Sequence, residues 1–292
     1  MKFRDRWHLL AQFTVGMAAC FLGLSCESSF EEPTKRTDED HFSARGGQAE
    51  STLFAYEAFD EVTGQPSDKG LSFGWSGCWQ FACDSGAEEL QFVDAPSDFQ
   101  FGEPVRKRCV LELANGASVR SQFDEPIILG DTDKVCISFL AQGAPVEKGK
   151  RGQLRVTLEP SDPARLIKDK CFSFGFYGQG DPYIVDEGLS MGRLQLSNDE
   201  VRLCVVTILR RDQCVWALMK IFTKREPIVE PPLNGRTILA RDWTVLTTGN
   251  CFAQADVASI RLSTGVDALW HIDDLRIGRD WNSVTEAFNV EK

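Results

Sequence analysis

From Thr52 onward the chain repeats one pattern, a short apolar run followed by Gly, Pro, Asn or Asp. The runs are FAYEAF, LQFV, RCVLEL, KVCISFL, QLRVTL, CFSFGF, VRLCVVTIL, CVWALMKIF, RTILA, SIRLS and LWHIDDLRI. Each has the length of a strand, and none is long and 3.6-periodic enough for a helix. Many short strands divided by turn signals predict an all-β sandwich or barrel. No repeat of fixed period occurs, which argues against propellers and solenoids. Ser283 to Glu286 fits a capping box and marks the one predicted helix start.

The stretch Val266 to Trp281 (VDALWHIDDLRIGRDW) organises the rest, alternating with a period of two. Its expected partner is Thr52 to Asp60 (TLFAYEAFD), so that pairing the two ends closes one domain. The clearest hairpin joins VRLCVVTIL to CVWALMKIF. A turn at Arg211-Asp212 predicts Cys204 opposite Met219 and Cys214 opposite Leu209, so these cysteines do not pair with each other.

Three segments follow from composition. Residues 1–25, a basic start (MKFRDRWH) followed by an apolar run, have the pattern of a signal peptide. Residues 26–51 hold almost nothing apolar except Phe30 and Phe42, and so read as a disordered acidic tether. As a flexible coil its ends would sit about 25–30 Å apart. Residues 52–292 form the predicted single domain, large enough to bury roughly three quarters of its unfolded surface.

Charge narrows the partners. The chain carries a formal net charge of -11, and Lys2, Arg4 and Arg6 against Asp5 leave -13 on residues 26–292. That balance argues against nucleic acid and against adhesion to anionic lipid through a basic patch. There are ten cysteines, and none sits in a C-x-x-C pair of the kind zinc sites use. Behind a signal peptide, Cys78, Cys83, Cys109, Cys136, Cys171, Cys204, Cys214 and Cys251 are expected to form a disulfide framework, with free buried thiols as the alternative. Cys78 and Cys83 are spaced to close a small loop; the remaining connectivity stays open, since eight cysteines allow 105 pairings.

Two resemblances add to this reading. Gly23-Leu24-Ser25-Cys26 resembles a bacterial lipobox, which implies lipidation of Cys26 and anchoring to the cell envelope. Cys20, after Met17, Ala18 and Ala19, is the rival site, and cleavage without lipid is the other alternative. Glu27 resembles outer-membrane sorting, so the outer membrane or cell surface is the expected address. Tyr56, Glu57, Phe59, Asp60, Gly64, Gly74, Trp75, Ser76, Gly77 and Trp79 spell an opening of the form Y-E-x-F-D…G…G-W-S-G-x-W. Asp273, Leu275, Arg276, Ile277, Gly278 and Trp281 spell a close of the form D-x-L-R-I-G-x-x-W. Together these resemble a family of secreted bacterial concanavalin A-like (laminin-G-like) jelly-roll domains. The strand Lys134–Leu140 and the hairpin 201–222 are also similar to that family. The resemblance implies two antiparallel sheets with the first and last strands adjacent.

Candidate chemistry is sparse. The β-glucanase branch of the jelly-roll class aims Glu-x-Asp-x-x-Glu from one strand into a cleft, and no Glu-x-Asp occurs here. The adjacent pairs Asp60-Glu61 and Glu88-Glu89 would point to opposite strand faces. His271 is the one histidine in the domain, and no G-x-S-x-G accompanies it. No cofactor is expected, though Asp131 and Asp133 are calcium candidates, with an Asp-built turn as the alternative. In the loop Tyr177-Gly178-Gln179-Gly180-Asp181-Pro182-Tyr183, the side chains of Tyr177, Gln179, Asp181 and Tyr183 suit a sugar, with a plain hairpin turn anchored by its tyrosines as the alternative. Trp75 and Trp79 are either sandwich caps or stacking platforms. The expected function is a non-catalytic envelope lipoprotein that binds glycan or another surface protein. A structural envelope protein and a diverged polysaccharide hydrolase or lyase are the alternatives.

Overall fold

The computed structural model describes residues 53–59, 72–81, 91–99, 101, 109–128, 134–144, 152–162, 172–178, 180–186, 188–192, 200–211, 214–224, 226–233, 240–249 and 256–289. Among them are fifteen strands in two antiparallel sheets. The eight-stranded sheet runs β13 (Val245–Gly249), β12 (Cys214–Phe222), β11 (Arg202–Arg211), β6 (Lys134–Gly143), β15 (Leu269–Gly278), β4 (Cys109–Ala114), β3 (Gln91–Asp94). Its eighth member, β1 (Leu53–Glu57), pairs with the far half of β15. The seven-stranded sheet runs β10 (Gly188–Met191), β9 (Asp181–Asp186), β8 (Ser173–Tyr177), β7 (Gln153–Pro160), β14 (Asp256–Thr264), β5 (Ser118–Ile128), β2 (Gln80–Phe81). This is a jelly-roll sandwich.

The expected meeting of the chain's ends is present. β1 and β15 are antiparallel, with Leu53 opposite Gly278 and Glu57 opposite Leu275. β15 carries Trp270 and Ile272 into the inter-sheet core, and then Leu275 and Ile277. Even and odd positions cannot share a face of a regular strand. A bulge at Asp273–Asp274 resolves this, with Asp274 at φ 50° adding the extra residue. A second parity switch lies in β14, between Val257 and Ile260, again at a register shift. Aromatic rings join the layers, with Phe176 stacked on Trp270 at 5.2 Å and Phe139 against Phe174 at 6.3 Å.

The outer face of the eight-stranded sheet is also buried. Cys136, Leu140, Leu203, Val205 and Leu218 form a second apolar layer under Ile228, Trp243, Trp281, Val284 and Phe288. Two polar ties fasten this cover: Ser138 Oγ donates to the Val284 carbonyl at 2.6 Å, and Lys134 pairs with Glu230 at 2.7 Å. The helix α1 (Trp281–Thr285) belongs to it. Its N-cap is Asp280, whose carboxylate accepts from the Ser283 N–H at 2.8 Å, so the helix begins before the expected Ser283.

Two further expectations need correction. The hairpin register is shifted from the expected one, with every pairing moved by two: Cys204 faces Ile221 and Cys214 faces Arg211. The cysteine framework is not formed by the described residues, among which Cys78, Cys136, Cys204 and Cys214 are free thiols. Cys136 packs in the outer layer and Cys204 in the inter-sheet core, so the sheet itself separates them. Cys136 lies 3.5 Å from Thr207 Oγ1, while Cys78 and Cys214 are exposed. Cys26, Cys83, Cys171, Cys251, Asp131 and Asp133 lie outside the described residues.

Candidate functional site

One broad polar face remains, the outer side of the seven-stranded sheet. Leu154, Val156 and Leu158 of β7 point into the core, which turns Gln153, Arg155, Thr157 and Glu159 outward. On β14, Ile260 and Leu262 point inward, leaving Ser259, Arg261 and Ser263 outward. Strand register then assembles cross-sheet rows. The central row reads Gln80, Arg120, Arg261, Thr157, Ser173, Val185, Leu189 from edge to edge. Beside it runs Ser118, Ser263, Arg155, Gly175, Tyr183, Met191. Leu189 and Met191 are 64% and 49% exposed, forming an apolar margin along β10.

A buried carboxylate organises the middle of this face. Glu159 accepts from Arg120 Nε at 2.8 Å and from Arg261 Nη2 at 2.6 Å. Ser259 Oγ donates to it at 3.1 Å and accepts from Arg120 Nε at 3.0 Å. The two guanidiniums are therefore fixed side by side, each about one third exposed. Charge-assisted pairs of this kind hold geometry better than neutral ones.

The expected loop site is a well-fastened hairpin turn. Gly178 and Gly180 have φ of 62° and 102°, and the Gly180 N–H bonds the Tyr177 carbonyl at 3.1 Å. From beneath, the fully buried Arg202 donates to the Gly180 carbonyl at 3.1 Å and lies 5.3 Å from the Phe176 ring. Tyr183 is not the exposed platform expected of it, being 2% exposed. Its hydroxyl accepts from Gln153 Nε2 at 3.0 Å and donates to the Leu154 carbonyl at 3.4 Å. Gln153 and Leu154 are on β7, so the phenol spans β8, where its partner in register is Gly175. Burial raises the Tyr183 pKa, partly countered by the Gln153 bond and by Arg155. Tyr177 and Asp181 are half-buried on the same face, and Gln179 lies outside the described residues.

Trp75 and Trp79 are packing residues, a correction to the stacking alternative. Trp79 is 8% exposed and donates through Nε1 to Glu57 Oε2 at 3.1 Å. Trp75 stacks on Phe123 at 5.1 Å and donates to the Tyr56 carbonyl at 2.9 Å. Glu57 also accepts from Ser72 Oγ and from the Phe59 N–H, at 2.7 and 3.2 Å. The opening motif is thus a buried carboxylate joining β1 to the Gly-Trp-Ser-Gly-x-Trp segment. His271 lies on the other sheet, 3.1 Å from Glu112 Oε2. Among the described residues no group of three His, Cys, Asp or Glu is placed to hold a metal ion.

Sequence reasoning missed Arg120, Arg155, Arg261, Glu159, Ser259 and Gln80. Their signal was present in QLRVTLEP and SIRLS, where polar residues fill alternate positions, but only strand order brings those runs together.

No family model matches the sequence, and no curated protein matches it. Similar solved structures include the T. cruzi calreticulin globular domain, at 14% identity and a TM-score of 0.46, covering 81% of this chain and 91% of that one. Domain 4 of AbnA, an extracellular arabinanase from Geobacillus stearothermophilus solved with arabinotriose, has 13% identity and a TM-score of 0.45, covering 82% and 98%. Lectin II from Ulex europaeus has 11% identity and a TM-score of 0.37, covering 64% and 94%.

Proposed function

We propose that this is an exported, lipid-anchored envelope protein whose jelly roll binds glycan on the outer face of the seven-stranded sheet, without catalysis. The observation that carries the reading is the accessible part of these rows, Gln80, Arg120 and Arg261 in register across three strands with Ser263 and Arg155 beside them, which aligns hydrogen-bonding side chains on one face. A sugar chain needs such donors and acceptors beside apolar surface, and Leu189 and Met191 supply the latter at the margin. The opposite sheet offers no comparable face, because its outer side is occupied by the chain's own cover. The anchor rests on the lipobox-like Cys26, and the address on Glu27.

The placement of carboxylates supports binding over hydrolysis. Glu159 is already engaged by two arginines and Ser259. Asp181, in a further row of this face, stands opposite Tyr177, which itself pairs with Gln153. Six residues of strand separate that row from Glu159, about 20 Å at ~3.3 Å per residue. Paired glycosidase carboxylates lie about 5–10 Å apart.

The test is to incubate the purified protein with a panel of polysaccharides, following binding by affinity electrophoresis and product release by reducing-end and 235 nm assays. Retardation by at least one polymer without product is the expected result. Product release would replace the reading with an enzyme, and no binding to any polymer would remove it.

A further inference from the structure

We propose that the ligand of this face is an acidic polysaccharide, whose carboxylate or sulfate groups are held by Arg120, Arg261 and Arg155; this rests on the glycan-binding reading above. Arg120, Arg155 and Arg261 against Glu159 leave +2 on three adjoining rows, and Asp181 in the next row leaves +1, in a chain whose total is -11. An acidic protein that concentrates cations on its one polar sheet face favours an oxyanion there over a neutral sugar.

Geometry sharpens the point. Glu159 takes Nε of Arg120 and one Nη of Arg261, and among the described residues the remaining Nη groups have no protein partner. Arg261 Nε is itself buried without a hydrogen-bond partner. Glu159 therefore orients two planar donors rather than neutralising them, and a guanidinium fork matches a carboxylate or sulfate edge. Gln80 stands exposed beside the pair in the same row, as a neutral donor for hydroxyl groups. Arg155, exposed and one row away, is placed for a second anionic group along a polymer. Acidic side chains at the same rows of β10, β9 and β8 are absent among the described residues, which carry Leu189, Met191, Val185, Tyr183, Ser173 and Gly175 there.

The experiment uses the full chain and paired probes: polygalacturonate with its methyl ester, and chondroitin sulfate with its desulfated form. The protein should bind at least one acidic member at least tenfold more tightly than the neutralised partner, with affinity falling as salt rises. The uronate pair and the sulfate pair distinguish the source of the oxyanion. Arg120→Gln with Arg261→Gln should weaken binding at least tenfold. Because those changes expose Glu159, Arg155→Gln is the second variant: it leaves the Glu159 cluster intact and should still weaken binding severalfold at unchanged melting temperature. Equal binding of charged and neutralised polymers, or full affinity in both variants, overturns the acidic ligand while leaving glycan binding in place. No binding to any polymer overturns both.

Discussion

The Tyr56 hydroxyl donates a 2.9 Å hydrogen bond to Asp274 Oδ1, joining residues 218 positions apart. Arg276 completes the cluster, 4.5 Å from the Tyr56 ring centroid and 3.4 Å from Asp274 Oδ1. Asp274 occupies the bulge that lets β15 keep both of its halves in the core, so this bond secures the strand on which the sheet depends. Tyr56→Phe should cost about 1–2 kcal/mol, because it leaves a buried carboxylate short of a donor. Chemical denaturation of the variant, compared with the parent at pH 7, measures it.

Glu57 plays the matching role at the other end of the opening motif. Its carboxylate serves Ser72, Trp79 and the Phe59 N–H. Glu57→Ala should destabilise by about 2–4 kcal/mol, since two buried donors and the half-buried Ser72 hydroxyl lose their acceptor together. Trp79 fluorescence should report the loss in the native state. An unchanged denaturation midpoint would show the motif to be dispensable.

These two clusters explain which parts of the fold were legible. Tyr56, Glu57, Trp79 and Arg276 stand in short motifs near the ends, where local alternation and spacing carry the signal. β5 was not expected, because Asp124-Glu125-Pro126 interrupts its apolar pattern, although Phe123 and Ile127 both reach the core. The hairpin register differs from the expected one because the sequence between Arg211 and Cys214 carries no Asn-Gly or Gly-Gly signal to fix a tight turn. The arginine face lay further from view: Arg120 and Ser259 meet across 139 positions, and no local pattern encodes that pairing.

The free thiols should divide by burial. Cys78 and Cys214 should react with a thiol reagent in the native protein, while Cys136 and Cys204 react only on unfolding. Burial raises the Cys204 pKa and pushes that of Cys136 up to about 12. An unfolded thiol titrates near ~8.5, so the folded state holds these protons more tightly. Stability from Cys136 should be complete below about pH 8.5 and lost as pH rises toward 12. Cys136→Ala should flatten the alkaline limb of a stability-versus-pH curve. Rapid native labelling of Cys136 would contradict its placement.

The anchor has its own test. Cys26→Ala should release the protein from the membrane fraction or stall its processing, whereas Cys20→Ala should leave both unchanged. Mass analysis of the N-terminal peptide should show added acyl mass on Cys26. Unaltered fractionation of Cys26→Ala would assign the tether to something other than lipid.

Gly175 offers the sharpest test of the face itself. Its φ is 149°, and a Cβ built there would lie 2.0 Å from the Leu154 carbonyl oxygen. No rotamer relieves a clash with backbone, so Gly175→Ala must push β8 away from β7 at the centre of the seven-stranded sheet. The Tyr183 phenol crosses β8 at this residue to reach Gln153, so the same displacement should break that bond. Gly175→Ala should cost about 2–4 kcal/mol and weaken glycan binding as well. Tyr183→Phe separates the two effects: it keeps the ring and removes the bond to Gln153, at a cost of about 1 kcal/mol. If Gly175→Ala matched the parent in stability, the close approach of β8 to β7 would be wrong. If it lost stability but kept full affinity, ligand would be held away from the Arg155, Gly175 and Tyr183 row.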